Sequence, residues 1–345
     1  MSTIEERPEA VVASAITHDY SKRLMVFGGR SSMELAAKVA GKLEVDLGQV
    51  TLKTFANGEV YCRYEESIRG ADVFLVQSTC ANEHEGMTPN DALIELLTMI
   101  DAAQGASAHR IIAVLPWYGY ARQDKKSAPR EPISARIVAK CLEGVGVDRV
   151  LTMDLHAGQV QGFFHVPVDH MTAMPMLTQW FMDQAFNEEL VIVSPDAGRV
   201  KVARNFARKI GCHWAVMEKE RPAQQVAEIG YVVGDVKGKT AVLVDDMIDT
   251  AGTLCAAAQT VLDEGAARVI ACATHGVFSG PAYERLAFDK SNIERIVVSD
   301  TIPLRPGAPD NIQVLSTAGT FADSIRRIFT DDSVSEIFAG ENQLF

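Results

Sequence analysis

Residues 242–253 read VLVDDMIDTAGT, and this stretch decides the fold of the chain. It begins with an apolar run that is typical of a buried β-strand, continues with two carboxylates and ends in small residues that precede a helical pattern. A strand that turns directly into a helix is the repeating unit of α/β proteins with parallel sheets. The stretch therefore predicts an α/β fold in which polar residues follow the carboxyl end of a strand.

Similar short apolar runs recur along the chain and alternate with helical patterns. Together with the strand part of the quoted stretch, at 240–246, the runs lie at residues 24–29, 73–78, 110–117, 149–155, 190–196, 214–220, 268–275, 295–300 and 312–316. Helices are indicated at 90–103 and at 252–264, where Gly265 ends the second pattern. The number of predicted strands is larger than a single sheet usually contains. We therefore predict two tandem, doubly wound parallel sheets.

The chain of 345 residues is long enough for two domains. We predict a flexible lead-in at residues 1–21, an N-terminal α/β domain at 22–168 and a C-terminal α/β domain at 169–314. The remaining segment, 315–345, is expected to pack back on the N-terminal domain.

Composition excludes several classes of protein. The chain has 33 Lys and Arg against 45 Asp and Glu, and this net charge of −12 disfavours nucleic acid as a partner. Six scattered cysteines without a CxxC pair indicate a reducing compartment and argue against zinc or a disulfide framework. No run approaches the roughly 20 apolar residues of a membrane span, and Glu5 and Glu6 stand where a signal peptide carries positive charge. We expect a cytoplasmic protein with no membrane partner.

The small residues after the two carboxylates suit a phosphate group. Thr250, Gly252 and Thr253 can present hydroxyl and backbone N–H groups at a helix N-terminus, where the helix dipole favours an anion. Asp245 and Asp246 can accept hydrogen bonds from two sugar hydroxyls. The competing interpretation is a helix N-terminus beside a chance acidic pair.

This stretch resembles the phosphoribosyl-binding loop shared by phosphoribosyltransferases and ribose-phosphate diphosphokinases. The resemblance implies two tandem domains of the phosphoribosyltransferase type. It also implies a set of contacts to ribose 5-phosphate by Asp245, Asp246, Asp249, Thr250, Ala251, Gly252 and Thr253.

Two further segments resemble the diphosphokinases in particular. Residues 152–164, TMDLHAGQVQGFF, are similar to their signature, which implies that His156 contacts the metal-bound triphosphate and that Asp154 supports the metal site. Residues 194–198, SPDAG, supply Asp196 as a further carboxylate for Mg²⁺, the implied cofactor. The plainer interpretations are a capped strand end and an N-capping aspartate.

An ATP site is implied by residues 116–126, PWYGYARQDKK, which match the ATP segment of the diphosphokinases. By this resemblance Arg122 and Gln123 hold the triphosphate and the adenine. A guanidinium suits phosphate oxygens because it can bind them in a bidentate manner. The adjacent lysine pair is otherwise typical of a solvated basic loop.

Residues 55–59, FANGE, resemble the adenine-binding loop that in relatives reaches the ATP site of a neighbouring subunit. The resemblance implies that Phe55 stacks on the base and that Asn57 and Glu59 contact its edge. On its own, Asn-Gly is foremost a turn signal.

Residues 218–222, EKERP, resemble the catalytic flexible loop of the family, in which Lys219 and Arg221 are the two cations. In the implied reaction, ribose O1 attacks the β-phosphorus of ATP in line and displaces AMP. Catalysis would then rest on positioning and cationic stabilisation, with His156 on the opposite side and no strong general base. A charged surface hairpin is the alternative for these residues.

The resemblance extends from about residue 24 to 338, with the motifs in the family order. Residues 66–70, ESIRG, match the branch that is phosphate-activated, ADP-inhibited and hexameric, which implies a regulatory site at Ser67 and Arg69. Inorganic phosphate is therefore the implied activator, and self-association to a dimer or hexamer is implied.

Three features depart from the family pattern. His165 stands where an aspartate is usual, Arg199 where glycine is common, and residues 82–87 form an insertion. We expect the first to affect a contact on the metal side and the second to add charge beside the diphosphate loop. The insertion is expected near an ATP or effector surface.

The implied function is a ribose-phosphate diphosphokinase that makes 5-phosphoribosyl 1-pyrophosphate for nucleotide, His, Trp and NAD biosynthesis. The main alternative is a non-catalytic regulatory homologue that keeps the fold, although such proteins typically damage the ATP or catalytic loop. A phosphoribosyltransferase is a second alternative, but the RQD and DLHAGQ segments have no role in its reaction.

Overall fold

Five parallel strands form the first sheet of the computed structural model, which describes residues 22–220 and 229–338. The strands are β1 (Arg23–Gly28), β4 (Ala71–Val76), β5 (Arg110–Leu115), β6 (Arg149–Met153) and β7 (Val168–Met171), and they lie side by side in this order. Between β1 and β4 the chain forms an antiparallel hairpin of β2 (Val50–Thr54) and β3 (Val60–Tyr64). β7 pairs with β6 and therefore belongs to the first sheet, whose last residue is Met171. β7 thus spans the predicted domain boundary at 168/169.

The second sheet has seven strands, and its order reverses in the middle. They are β8 (Leu190–Ser194), β9 (His213–Glu220), β10 (Ile229–Val233), β11 (Thr240–Ile248), β12 (Arg268–Gly276), β13 (Arg295–Ser299) and β14 (Ile312–Leu315). Their spatial order is β10-β9-β8-β11-β12-β13-β14, and every pair is parallel except β9 with β10. The predicted α/β fold with two parallel sheets is confirmed, with two antiparallel pairs that the prediction did not contain.

Helices cover the faces of both sheets. They are α1 (Met33–Leu43), α2 (Pro89–Gly105), α3 (Ser134–Gly144), α4 (Met174–Asp183), α5 (Val200–Ile210), α6 (Gly252–Asp263), α7 (Ala282–Leu286), α8 (Phe288–Ser291) and α9 (Ala318–Phe329). The helices predicted at 90–103 and 252–264 correspond to α2 and α6. α2 begins with a capping box in which the Thr88 hydroxyl accepts from the backbone N–H of Asp91 and the Asp91 carboxylate accepts from the backbone N–H of Thr88.

The hydrophobic core is continuous between the two sheets. Phe74 and Leu151 of the first sheet belong to the same buried cluster as Ile192 and Val242 of the second. Phe321 of α9 joins this cluster, and α9 packs against α1. The C-terminal helix therefore lies beside the first sheet. Within the described ranges, no helix is both long and apolar enough to cross a bilayer. The predicted lead-in at 1–21 and residues 339–345 of the predicted C-terminal segment lie outside the described residues.

Candidate active site

The site lies at the reversal point of the second sheet. From β8 the chain continues to one side, through β9 and β10, and from β11 it continues to the other side. Such a reversal opens a crevice at the carboxyl ends of the two central strands, where α/β proteins bind ligands. β11 pairs with β8 only as far as Leu243, so its last residues extend beyond β8 and place Asp245 and Asp246 in the crevice.

Asp246 is the buried member of this acidic pair, with a side chain only 5% exposed. Its Oδ2 accepts a hydrogen bond from His156 Nδ1 at 2.7 Å and lies 2.8 Å from Arg199 Nη2. His156 follows β6 of the first sheet, and Arg199 follows β8 of the second. The structure thus brings two predicted site residues from different sheets into direct contact, with Arg199 as the third member.

Asp245 is more exposed than Asp246 and has weaker partners. Its Oδ1 accepts from the backbone N–H of Asp246 at 2.8 Å and lies 3.7 Å from Arg199 Nε. Partial burial, and then the adjacent carboxylate of Asp246, raise the pKa of Asp245 well above its ordinary value. Burial opposes ionisation of Asp246 too, but the hydrogen bond from His156 and the charge of Arg199 outweigh it and lower the pKa of Asp246. Of these two neighbouring carboxyl groups, Asp246 therefore ionises more readily than Asp245.

The loop after β11 presents a helix N-terminus to the crevice. Ala251 adopts a left-handed conformation with φ of 62°, and α6 begins at the next residue without a side-chain cap. The first N–H groups of α6 are therefore available to an anion. Arg285 of α7 donates to the backbone carbonyl of Thr250 at 2.9 Å and supports the loop from outside. No motif in the sequence marked Arg285 as a supporting residue.

The predicted ATP-side and sugar-side residues meet in one cavity of about 310 Å³. We call the part of the chain built around the first sheet the first lobe, the part built around the second sheet the second lobe, and the loop between β11 and α6 the sugar-phosphate loop. Arg122 of the first lobe pairs with Asp249 of the sugar-phosphate loop, with Nη1 and Oδ2 2.5 Å apart. The cavity lining includes Arg122, His156, Asp196, Arg199, Asp245, Asp246, Asp249, Thr250, Ala251, Gly252 and Thr253. Gln123 instead lines an adjoining cavity of about 360 Å³, and Arg122 and Asp249 line both cavities. The Oε1 atom of Gln123 accepts a hydrogen bond from Ser134 Oγ at 2.6 Å.

Both carboxylates predicted on the metal side, Asp196 and Asp154, already accept hydrogen bonds from backbone N–H groups. Asp196 is exposed, and its Oδ1 accepts from the backbone N–H of Arg199 at 3.1 Å. Asp154 Oδ2 accepts from the backbone N–H of Ala173 at 2.8 Å and from Thr274 Oγ1 at 2.7 Å, so this carboxylate links the two lobes. It lines a smaller cavity of about 70 Å³ behind the acidic pair.

In residues 22–220 and 229–338, no three His, Cys, Asp or Glu side chains are grouped so that they could hold a metal ion by themselves. Mg²⁺ commonly keeps its waters and takes one or two carboxylates together with substrate phosphates, so it does not require such a group. His156 and Asp196 face the main cavity and are placed for such a shared role.

Other predicted residues lie away from this cavity. Phe55, Asn57 and Glu59 lie in the exposed turn between β2 and β3, and the cavity lining does not include them. Ser67 and Arg69 are exposed in the turn that precedes β4, at the opposite end of the first sheet from the site. Whether they take part in adenine binding and regulation stays a prediction.

The described residues contain only part of the predicted catalytic loop. Lys219 lies in β9, where its backbone pairs with Gly230, and nothing beyond its backbone is described. Arg221 lies outside the described residues.

The three departures from the family pattern have different surroundings. His165 is exposed and pairs with Glu143 of α3 at 3.1 Å, so it does not reach the cavity. The insertion at 82–87 contacts the second lobe, where His84 Nε2 lies 3.1 Å from the Leu304 carbonyl. Arg199 alone of the three lies in the site. The sequence contained a signal for this placement. Arg199 directly follows the SPDAG segment, which comes after the carboxyl end of a strand, and the carboxyl ends of the central strands border the crevice.

The fold and the site together define a class, that of α/β enzymes of the phosphoribosyltransferase type with a sugar-phosphate loop at the sheet reversal. Comparison with known proteins is more specific. The N-terminal domain of ribose phosphate pyrophosphokinase matches residues 24–146, and the phosphoribosyl synthetase-associated domain matches residues 216–339. The chain belongs to the ribose-phosphate pyrophosphokinase family.

Individual relatives agree over nearly the whole chain. The chain is 49% identical to ribose-phosphate pyrophosphokinase of Caldanaerobacter subterraneus subsp. tengcongensis, over 92% of this chain and 99% of the relative. It is 48% identical to that of Clostridium perfringens, over 93% of this chain and 99% of the relative. The crystal structure of phosphoribosylpyrophosphate synthetase from Mycobacterium smegmatis superposes with a TM-score of 0.82 at 46% identity, covering 90% of this chain and 100% of that one. These relatives favour a catalytic protein over the regulatory homologue.

Proposed function

We propose that this chain transfers the β,γ-diphosphoryl group of ATP to the C1 hydroxyl of ribose 5-phosphate, which yields 5-phosphoribosyl 1-pyrophosphate and AMP. The observation that carries the proposal is the 310 Å³ cavity in which the ATP-side residues Arg122 and His156 face the sugar-phosphate loop. A reaction between two phosphorylated substrates needs both within one water-excluding cleft and in line with each other.

Each part of the cavity has a role in binding. The N-terminus of α6, with Thr250, Gly252 and Thr253, takes the 5-phosphate, while Asp245 and Asp246 accept hydrogen bonds from the ribose hydroxyls. Asp249 and Ala251 complete this loop. On the other side, Arg122 holds triphosphate oxygens and Gln123 contacts the nucleotide from the adjoining cavity.

The charge that develops on the phosphoryl oxygens calls for cations. His156 lies at the cavity wall between the lobes, and Lys219, near the end of β9, and Arg221, two residues further along the sequence, are the other proposed cations. Magnesium, when bound with ATP, would neutralise phosphate oxygens next to His156 and Asp196, with Asp154 as support behind them. The C1 hydroxyl oxygen of ribose attacks the β-phosphorus and its proton is released to water, while the bond between the β-phosphorus and the α-phosphate oxygen breaks and AMP leaves with that oxygen.

Assembly, location and regulation are part of the same proposal. A neighbouring chain would supply Phe55, Asn57 and Glu59 to the adenine, because these residues lie outside the cavity of their own chain. We therefore propose self-association to a dimer or hexamer. Activation by inorganic phosphate would act through Ser67 and Arg69. All six cysteines are free thiols, which suits a cytoplasmic enzyme.

The test is AMP release. The purified chain is mixed with ATP, Mg²⁺ and ribose 5-phosphate, and AMP and phosphoribosyl pyrophosphate are separated by ion-exchange chromatography. We expect equal amounts of both products, and no AMP when ribose 5-phosphate is left out. A regulatory homologue would release none, and a phosphoribosyltransferase would turn over only with a nucleobase and phosphoribosyl pyrophosphate. Repeating the assay across phosphate concentrations tests the activation.

A further inference from the structure

Arg199 lies between the main cavity and the smaller one behind it, together with Asp245 and Asp246, which also line both. Its side chain is 16% exposed and lines both the 310 Å³ cavity and the 70 Å³ cavity. Its Nη2 lies 2.8 Å from Asp246 Oδ2 and 3.3 Å from the His156 carbonyl oxygen, and its Nε lies 3.7 Å from Asp245 Oδ1. One guanidinium therefore contacts both carboxylates and the segment that carries the site histidine.

The backbone of Arg199 is fixed as well as its side chain. Asp196 Oδ1 accepts from the backbone N–H of Arg199 at the start of the turn that leads into α5. Because this turn follows β8 directly, the guanidinium is anchored to the central strand of the sheet and not to a long loop. Its place between the carboxylates is therefore preorganised.

Two adjacent, partly buried carboxylates need a positive partner. Like charges a few ångströms apart repel each other strongly where water is partly excluded, and the repulsion disfavours ionisation of both groups. The cations in the described residues that face this pair are Arg199 and, when protonated, His156. Arg122 is engaged with Asp249. Without Arg199, His156, when protonated, would be the remaining cation of the described residues at this pair, and a cation from solution would be needed to balance the second charge.

We propose that Arg199 is a positioning residue that holds Asp245 and Asp246 ready for the ribose hydroxyls, so that ribose 5-phosphate binds without a divalent cation. The inference rests on the proposed function, which assigns the ribose hydroxyls to this pair. Arg199 engages Asp246 at the buried side, whereas the Asp245 side chain remains 35% exposed towards the cavity. The sugar therefore meets an acidic pair whose charge is already balanced.

Titration calorimetry of ribose 5-phosphate, with EDTA or with Mg²⁺ and no ATP, tests this. For the wild type we expect similar affinities in both conditions. Arg199→Gln keeps much of the side-chain size but loses the charge, and its metal-free affinity should fall about tenfold or more, with recovery in Mg²⁺. Arg199→Lys should retain most of the metal-free affinity. Arg204→Gln, which removes an exposed arginine of the adjoining helix α5, should match the wild type.

Binding of Mn²⁺ to the protein without substrates, measured by electron paramagnetic resonance, gives a second readout. Loss of the guanidinium leaves the carboxylates without their cation, so Arg199→Gln should bind Mn²⁺ more tightly than the wild type. A variant that gains Mn²⁺ affinity while it loses metal-free sugar affinity is folded, because misfolding would reduce both. Loss of both affinities overturns the inference.

The other outcomes separate this inference from the function on which it rests. A wild type that binds ribose 5-phosphate only with Mg²⁺, or an Arg199→Gln variant with unchanged metal-free affinity, overturns the role of Arg199 and leaves the proposed function standing. Unchanged binding by Asp246→Asn overturns the assignment of the sugar to the acidic pair, and the inference fails with it.

Discussion

At the scale of single residues, the site depends on two neighbouring aspartates in unlike surroundings. Asp246 points to the buried side, where His156 and Arg199 stabilise its charged form. Asp245 faces the cavity, where burial and the charge of Asp246 disfavour ionisation. A strand alternates the direction of successive side chains, so adjacent residues of identical chemistry receive different environments. One carboxyl group is thereby fixed and the other remains accessible to a ligand.

The raised pKa of Asp245 predicts a pH dependence of stability. Its unfolded form ionises near pH 4, while the folded form retains the proton to a higher pH, so the contribution of Asp245 to stability falls as pH rises through that window. Asp245→Asn should therefore gain stability relative to the wild type between pH 5 and pH 8. Urea unfolding at several pH values measures this difference. The exposed Asp289→Asn serves as the control, and parallel curves for Asp245→Asn and the wild type would contradict the prediction.

Lys219 provides a kinetic prediction at the same scale. If it stabilises the charge that develops on the phosphoryl oxygens, Lys219→Ala should lower kcat about a hundredfold or more, by analogy with the loss of an oxyanion donor. KM for both substrates should change only a few-fold, because the interaction belongs to the transition state. Steady-state AMP release measures both constants. Lys201→Ala removes an exposed lysine of α5 and should leave them unchanged. Near-normal turnover of Lys219→Ala would remove this residue from the mechanism.

At the scale of secondary structure, the N-termini of α2 and α6 differ in how their first N–H groups are satisfied. α2 satisfies its first N–H groups with its own capping box of Thr88 and Asp91. α6 has no such side chain, and its first turn opens on the cavity after the left-handed Ala251. A helix end without a cap loses about 1 kcal/mol of stabilisation. A bound phosphate would supply that stabilisation at α6. The missing cap alone does not mark a binding end, because α1, α3, α4, α5 and α9 also lack a side-chain cap, and it is the opening of α6 on the cavity that sets this end apart.

A carboxylate placed at this helix end should have opposite effects on stability and binding. Thr253→Asp adds a negative charge in the first turn of α6, which should stabilise the folded protein by about 0.3–1 kcal/mol. The same charge repels the 5-phosphate, so the affinity for ribose 5-phosphate should fall by about tenfold or more. Urea unfolding and titration calorimetry measure the two effects. Thr260→Asp, in the last turns of the same helix, should weaken stability and leave affinity unchanged.

At the scale of the whole molecule, the two lobes share a core and a buried polar contact. The main hydrophobic cluster contains strands of both sheets. Between them, Asp154 accepts from Thr274 of β12, and His275 Nε2 lies 3.2 Å from the Met153 carbonyl. His275 is fully buried, and this burial lowers its pKa. We therefore expect the lobes to unfold as one unit, since these contacts hold the two halves of the cavity together.

Removal of the contact between Asp154 and Thr274 should destabilise the entire chain. Thr274→Val leaves the Asp154 carboxylate with one partner fewer in a partly buried place, at a cost of about 1–3 kcal/mol. Unfolding followed by tryptophan fluorescence and by circular dichroism should give one coincident transition for the wild type and the variant. Thr98→Val, on the surface of α2, should change stability by less than about 0.5 kcal/mol. Two separate transitions would contradict a shared folding unit.

The sequence alone determined most of the strands and the loop that follows β11. Strands such as β5 and β11 are continuous apolar runs, and their signal is local because parallel strands are buried on both faces. The strands β2, β3, β7 and β10 were not predicted. β2, β3 and β7 mix polar and apolar residues, so they lack the continuous apolar run that marks a strand buried on both faces. β10 is a five-residue strand at the edge of the second sheet.

The tertiary structure decided which of the marked residues meet. The contact of Arg122 with Asp249 and that of Arg199 with Asp246 join residues of different elements, and no local pattern specifies either pair. The sequence likewise marked Asp154 as a support for the metal site, but it did not show that its Oδ2 links the two lobes. Local patterns determine where a chain turns and which face is buried. The neighbours of a carboxylate, and hence its charge, are set only when the two sheets pack together.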